Sequence, residues 1–132
     1  MSGLKHLVPQ GIRSPFARYS HAVEVAAGSR LLFCSGQLGI SATDQIPENA
    51  EAQAALCFEA IGLCLREVGM SFADIVRINA YVTDRIHMVP YMAMRDRYVA
   101  LPPPASTLMI VGGFTRVEFK VEVEAVAAIS QS

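Results

Sequence analysis

Over positions 48–68 the apolar residues Ala54, Cys57, Phe58, Ile61, Cys64, Leu65 and Val68 recur at spacings of three and four, which describes one face of a helix. A helix apolar on one side only must lay that side on a second layer, so the chain has to supply one. Its ends are also marked. Pro47 suits a first helical position, Glu48 and Glu51 suit the positive end of the helix dipole, and Gly69 suits a stop. The second layer is legible in KVEVEAVA (120–127), which alternates with period two. As a strand it sends Val121, Val123 and Ala125 to one face and Glu122 and Glu124 to the other, the two carboxylates about 7 Å apart.

The remaining elements follow from the same two periods. YSHAVEV (19–25) and RLLFCSG (30–36) predict two strands joined as a hairpin around Gly28 and Ser29, followed by a loop over 37–47. DIVRINAYVTD (74–84) predicts a strand, and a second helix is expected over 86–100 with Pro90 in or near its first turn. LPPPA breaks the chain. Strands are then expected over 106–111 and 118–128, with Gly112 and Gly113 in the loop between them. The expected order is ββαβαββ, an α+β domain spanning 1–132 with two helices on one face of a sheet. The strands are apolar on both faces, with Val76 and Ile78 on one and Ile75 and Tyr81 on the other. The face without helices is therefore expected to meet partner subunits.

Composition narrows the partners. Half of the chain is apolar (52%), yet the apolar runs fall well short of the roughly 18 residues that a membrane-crossing helix needs. Eleven Lys+Arg stand against twelve Asp+Glu without a run of either sign, so the basic stripe of a nucleic-acid binder is missing and none is expected as a partner. Three cysteines without CxxC spacing, and a start (MSGLKHLVPQGIRS) without the apolar core of a secretory signal, predict a reduced, cytoplasmic setting.

Cys57 and Cys64 lie two helical turns apart on the apolar stripe, about 10.5 Å along the axis, too far to bridge. They and Cys34 read as core packing. His6, His21 and His87 show no metal-ligand spacing, and no glycine-rich phosphate loop is present, so no metal and no cofactor is expected. On the second helix Met88, Tyr91, Met92, Arg95 and Val99 share one stripe, so a guanidinium projects from an otherwise apolar face. It is either a snorkelling side chain or half of a structural ion pair, or else an anchor for an anion.

Taken together, RYSHAVEV, LLFCSGQ, the long helix, a strand ending in VTD, the second helix, a P-A-S-T segment after prolines and VEVEAVA resemble the reactive intermediate deaminase (Rid, RidA or YjgF) family, in order and spacing over 13–129. The resemblance implies a chorismate-mutase-like, YjgF-like fold and a homotrimer whose sheets form a central barrel, with small-molecule clefts between subunits. It further implies a hydrolase or deaminase in which an Arg of a P-A-R-S motif holds the carboxylate of a 2-imino or 2-enamino acid and a Glu of the last strand positions the attacking water. By that correspondence the Glu is Glu122, and Tyr19, Ser35, Gly36 and Gln37 contact the ligand.

Two positions depart from the family pattern. Ser106 stands in place of the Arg, and Met92 in place of an Asn on the second helix. Losing one anchor of a charged substrate costs on the order of 2–5 kcal/mol when nothing replaces it. Ser106, Thr107 and Met92 leave a less charged, more apolar pocket, with Arg95 as a further ligand contact. The expected activity is therefore hydrolysis or deamination of an imine, enamine or related metabolite other than 2-aminoacrylate-type amino-acid imines. A metabolite-binding or regulatory trimer without turnover is the alternative, and an endoribonuclease-like activity a further one.

Overall fold

The computed structural model describes residues 3–131, in the order β1 (Leu4–Leu7), β2 (Ala22–Val25), β3 (Arg30–Leu38), α1 (Ala50–Glu67), β4 (Ile75–Val82), α2 (Met88–Tyr98), β5 (Ala105–Ile110) and β6 (Val121–Ile129). Four strands form one sheet in the order β3-β6-β4-β5. β6 runs antiparallel to both of its neighbours, whereas β4 and β5 are parallel and joined through α2, the crossover that parallel strands require. This is the α+β arrangement that the resemblance implies, with α1 packed on β3 and β6 and against α2.

The expected hairpin is not a ladder. Gly28 takes the left-handed turn conformation (φ +80°), but β2 pairs with β1, Leu4 opposite Val25, and β3 pairs with β6. β1 is a strand the periodicity did not reveal, because LKHL is too short to display an alternation. A local reading joins neighbours in sequence, whereas here the partner of β3 arrives some ninety residues later.

Helix α1 starts two residues later than expected. Asn49 is its N-cap, its Oδ1 accepting the Ala52 N–H at 2.7 Å, so Pro47 lies outside the helix. Gly69 (φ +75°) ends it, with the Met70 N–H returning to the Leu65 carbonyl at 2.9 Å. The stripe is buried as expected at Ala54, Cys57, Phe58, Ile61 and Leu65. Phe58 stacks between Tyr91 and Tyr98 of α2. The β6 alternation is also as expected: Val121, Val123, Ala125 and Ala127 are buried beneath the helices and Glu122 and Glu124 are half-buried on the opposite face. That opposite face carries exposed Leu31 and Phe33 of β3, in register with Ala128 and Val126, and exposed Met109 of β5, in register with Tyr81. No helix of the described residues is long and apolar enough to cross a membrane.

Candidate functional site

The expected site residues fall into two groups, one on each face of the sheet. Ser106 is in register with Ile78, which is buried beneath the helices, so Ser106 faces α2. There, with Tyr19, Met88, Met92, Arg95 and Leu108, it lines a concavity of about 230 Å³, with Phe16 and Ala17 at the mouth. Tyr19 reaches this place because the segment before β2 is tied to the start of β5. The Ser20 hydroxyl donates to the Pro103 carbonyl at 2.6 Å and the Ser20 N–H to the Pro104 carbonyl at 2.9 Å. The Tyr19 hydroxyl in turn accepts the Phe16 N–H at 3.2 Å, and its ring meets His21 edge-on.

Arg95 is only 3% exposed, and its Nε and Nη2 both donate to Oδ1 of Asp96, at 3.1 and 3.0 Å. Its charge is thus met inside the chain by the carboxylate of its neighbour, while its side chain still lines the concavity. Arg18 donates to the Asp96 main-chain carbonyl at 3.1 Å, binding the same segment to the end of α2.

Glu122 occupies the other face, in register with Tyr81 and Leu38. The β3 ladder slips between Cys34 and Gln37, and the irregular residues are Ser35 and Gly36. The Glu122 carboxyl lies directly over that slip. A Cβ at Gly36 would stand 2.6 Å from its Oε2 and 2.8 Å from its Cδ, so glycine is what admits it. Partial burial, and secondarily the charge of Glu124, raise the Glu122 pKa above the ordinary glutamate value. The Tyr81 hydroxyl donates a short hydrogen bond to Glu124, and that bond raises the tyrosine's own pKa. Thr107, next to Ser106 in sequence, points the opposite way and accepts from Arg77 at 2.7 Å. Gln37 donates to the Ser35 carbonyl at 3.1 Å across the slip.

Within one protomer, then, Tyr19, Met92, Arg95 and Ser106 come together on the helix side, where Gln37, in register with buried Val123, also falls; Glu122, over the slip at Ser35 and Gly36, and Thr107 lie on the other face, and the sheet separates the groups. The chain offers a half-desolvated carboxylate able to take a proton, and a small concavity able to seat an organic molecule. A larger hollow, about 570 Å³, opens at the start of α1 beside His87, Met94 and Lys120. It holds none of the expected site residues, and its Lys120 ammonium is spent on the Glu48 carbonyl.

The Cys34 and Cys57 thiols stay protonated at neutral pH. Burial pushes Cys57 up to about 12 and, with help from the adjacent Cys64, Cys34 up to about 11. Among the described residues no cluster of ligating side chains could hold a metal ion. Sequence reasoning missed Phe16, Leu108, Tyr81 and Asp96. Asp96 follows Arg95 directly and could have been weighed as its partner; the others show no local signal, because cross-strand and segment-to-strand contacts are not written along the chain.

Residues 11–129 match the family model described as endoribonuclease L-PSP. The mitochondrial protein mmf2 of Schizosaccharomyces pombe is 30% identical over 115 residues, covering 83% of this chain and 86% of that one. The RutC family protein YjgH of Escherichia coli is 27% identical over 124 residues, 93% of each chain. In fold, the chain is similar to the crystal structure of YyfB from Yersinia pestis, described as a protein of unknown function of the conserved Rid family, with a TM-score of 0.80, 22% identity and coverage of 96% and 99%.

Proposed function

The chain belongs to the Rid/YjgF family, and from that premise we propose that it hydrolyses or deaminates an imine, enamine or related small metabolite in clefts between the subunits of a homotrimer. Its substrate differs from the 2-aminoacrylate type of amino-acid imine. The observation that carries this reading is Ser106. It lines an apolar concavity at the position where the family resemblance expects a carboxylate-binding Arg, and a serine cannot form the bidentate pair that an Arg forms. The three unpaired thiols support a reduced, cytoplasmic setting.

Glu122 is the general base. Its raised pKa makes it a stronger proton acceptor than an ordinary carboxylate. It takes a proton from water as the water oxygen bonds to the imine carbon and the C=N π pair moves to nitrogen. It then returns the proton to the nitrogen of the resulting carbinolamine. The hydroxyl proton of the carbinolamine then passes through Glu122 to the same nitrogen. The oxygen's electron pair closes the C=O bond as the C–N bond breaks, and ammonia leaves with the pair of that bond, so a carbonyl compound remains.

A coupled assay that generates 2-aminoacrylate and 2-iminopropanoate tests the reading. The wild-type chain should accelerate their decay little, Ser106→Arg should accelerate it by about ten-fold or more, and Glu122→Gln should remove whatever turnover is present. Wild-type turnover equal to that of an arginine-bearing relative would overturn it. Cleavage of a single-stranded RNA by the wild type but not by Glu122→Gln would put the endoribonuclease reading in its place. Ligand binding without turnover of any imine would favour a metabolite-binding trimer.

A further inference from the structure

We infer that Cys34 and Cys64 form a redox-active pair, a site at which a small-molecule disulfide converts two thiols into one reversible bond between β3 and α1. The inference is independent of the imine reading.

Two ties fix how α1 lies along the sheet. Near its middle the Cys57 thiol donates to the Val121 carbonyl at 3.9 Å, and at its end the Val68 carbonyl accepts from the Arg30 guanidinium at 3.2 Å. Val121 opens β6, and Arg30 is in register with Ile129 at the far end of that strand, so α1 runs along β6 in the same direction. From Cys57 to Cys64 the helix advances about 10.5 Å. A strand covers that distance in about three residues, which leads from Val121 to the neighbourhood of Ala125. The β3 residue in register with Ala125 is Cys34.

Ala125 is buried beneath the helices and Cys34 is buried with it, 8% exposed. There the two side chains meet, the Cys34 thiol hydrogen-bonded to the Cys64 sulfur. Cys57 is fully buried and engaged with Val121, two turns of helix away from Cys64. The three cysteines therefore divide into a pair and a bystander.

Access gives the paired sulfurs different parts. Cys64 is only partly buried, so a reagent reaches it first. Cys34 is closed to solvent, and burial, with the neighbouring thiol, raises its pKa to about 11, so it acts second. The Cys64 sulfur gives up its proton and attacks one sulfur of the reagent R–S–S–R; the reagent's S–S bond breaks and one R–S⁻ departs. Cys34 then loses its proton and attacks the Cys64 sulfur, and the Cys64–S–R bond breaks with departure of the second R–S⁻. The departing thiolates take up the two protons, so the reagent is reduced to two thiols while the chain loses two hydrogens. Contact with the sulfur it attacks offsets the scarcity of the Cys34 thiolate. The new bond closes one residue before the slip at Ser35 and Gly36 over which Glu122 lies, and so ties the seat of that carboxylate to α1.

Treatment of the folded wild-type protein with bis(2-hydroxyethyl) disulfide, followed by intact mass, peptide mapping and thiol titration after unfolding, tests this. A transient adduct on Cys64 should give way to a chain lighter than the reduced one by two hydrogens. One titratable thiol should then remain of the three, with the link mapped between Cys34 and Cys64 and dithiothreitol restoring all of them. Cys34→Ala should stop at the adduct, Cys64→Ala should stay unmodified, and Cys57→Ala should react like the wild type. Three free thiols after prolonged treatment, a lasting Cys64 adduct on the wild type, a link that includes Cys57, or a bond joining two chains would each overturn the inference. The mapping on wild-type protein decides the matter even where an alanine variant fails to fold.

Discussion

Glu122 owes its position to an atom that Gly36 lacks. With the carboxyl lying where a Cβ would stand, burial and the neighbouring Glu124 disfavour its charged form, and the consequence for stability has a definite sign. As pH rises through the carboxylate range, the unfolded chain loses the Glu122 proton before the folded one does, so folding weakens through that window and stays weakened above it. Below about pH 4 both states are protonated and nothing is lost. Glu122→Gln is therefore expected to melt at a higher temperature than the wild type at pH 7, the gap closing towards pH 4; thermal scans of both proteins across that range check it. A variant that gains stability as it loses turnover is what a functional carboxylate produces, whereas a solvated strand face would show neither. That Glu122 and Glu124 share a face was legible from the period of two alone. The slip at Ser35 and Gly36 that seats Glu122 was not, because a register is a property of two strands.

Among the elements, α1 is fastened to the sheet by a residue that the stripe conceals. Gln53 is fully buried. Its amide donates to the carbonyls of Pro47 and Glu118 at 2.8 and 2.9 Å, and its Oε1 accepts the Lys120 N–H at 2.8 Å, binding the first turn of α1 to the entry of β6. Gly39 is glycine because a Cβ there would fall 2.4 Å from that of Gln53. Gln53→Ala strips main-chain groups of their partners and should cost about 2–4 kcal/mol, measurable as a lower denaturant midpoint with an unchanged slope. Both helices and the four sheet strands were legible because their apolar residues keep one period for two turns of helix or several residues of strand. β1 and its pairing were not, since four residues carry too little pattern and the hydrogen bonds of β2 could go to either side.

At the scale of the molecule the sheet has one face under helices and one bearing Leu31, Phe33 and Met109 in the open. Exposed apolar surface of this kind is the mark of an interface. Sedimentation equilibrium at micromolar concentration should return three times the 14.3 kDa of the chain, and Phe33→Lys should shift it towards one; a monodisperse wild-type monomer would refute the assembly. The likeness to a known family was legible because its motifs are spread in order along the whole chain. The split of the site was not, since Ser106 and Thr107 are neighbours in sequence and leave by opposite faces. On the proposed reading that split has a genetic consequence. A molecule seated beside Ser106 in one chain would have the sheet between it and that chain's Glu122, so the carboxylate serving it would come from another chain. Two alleles, one broken at the concavity and one at the carboxylate, should each be inactive alone. Expressed together they should assemble some clefts whose halves are both intact, and a cell that carries both should regain the activity.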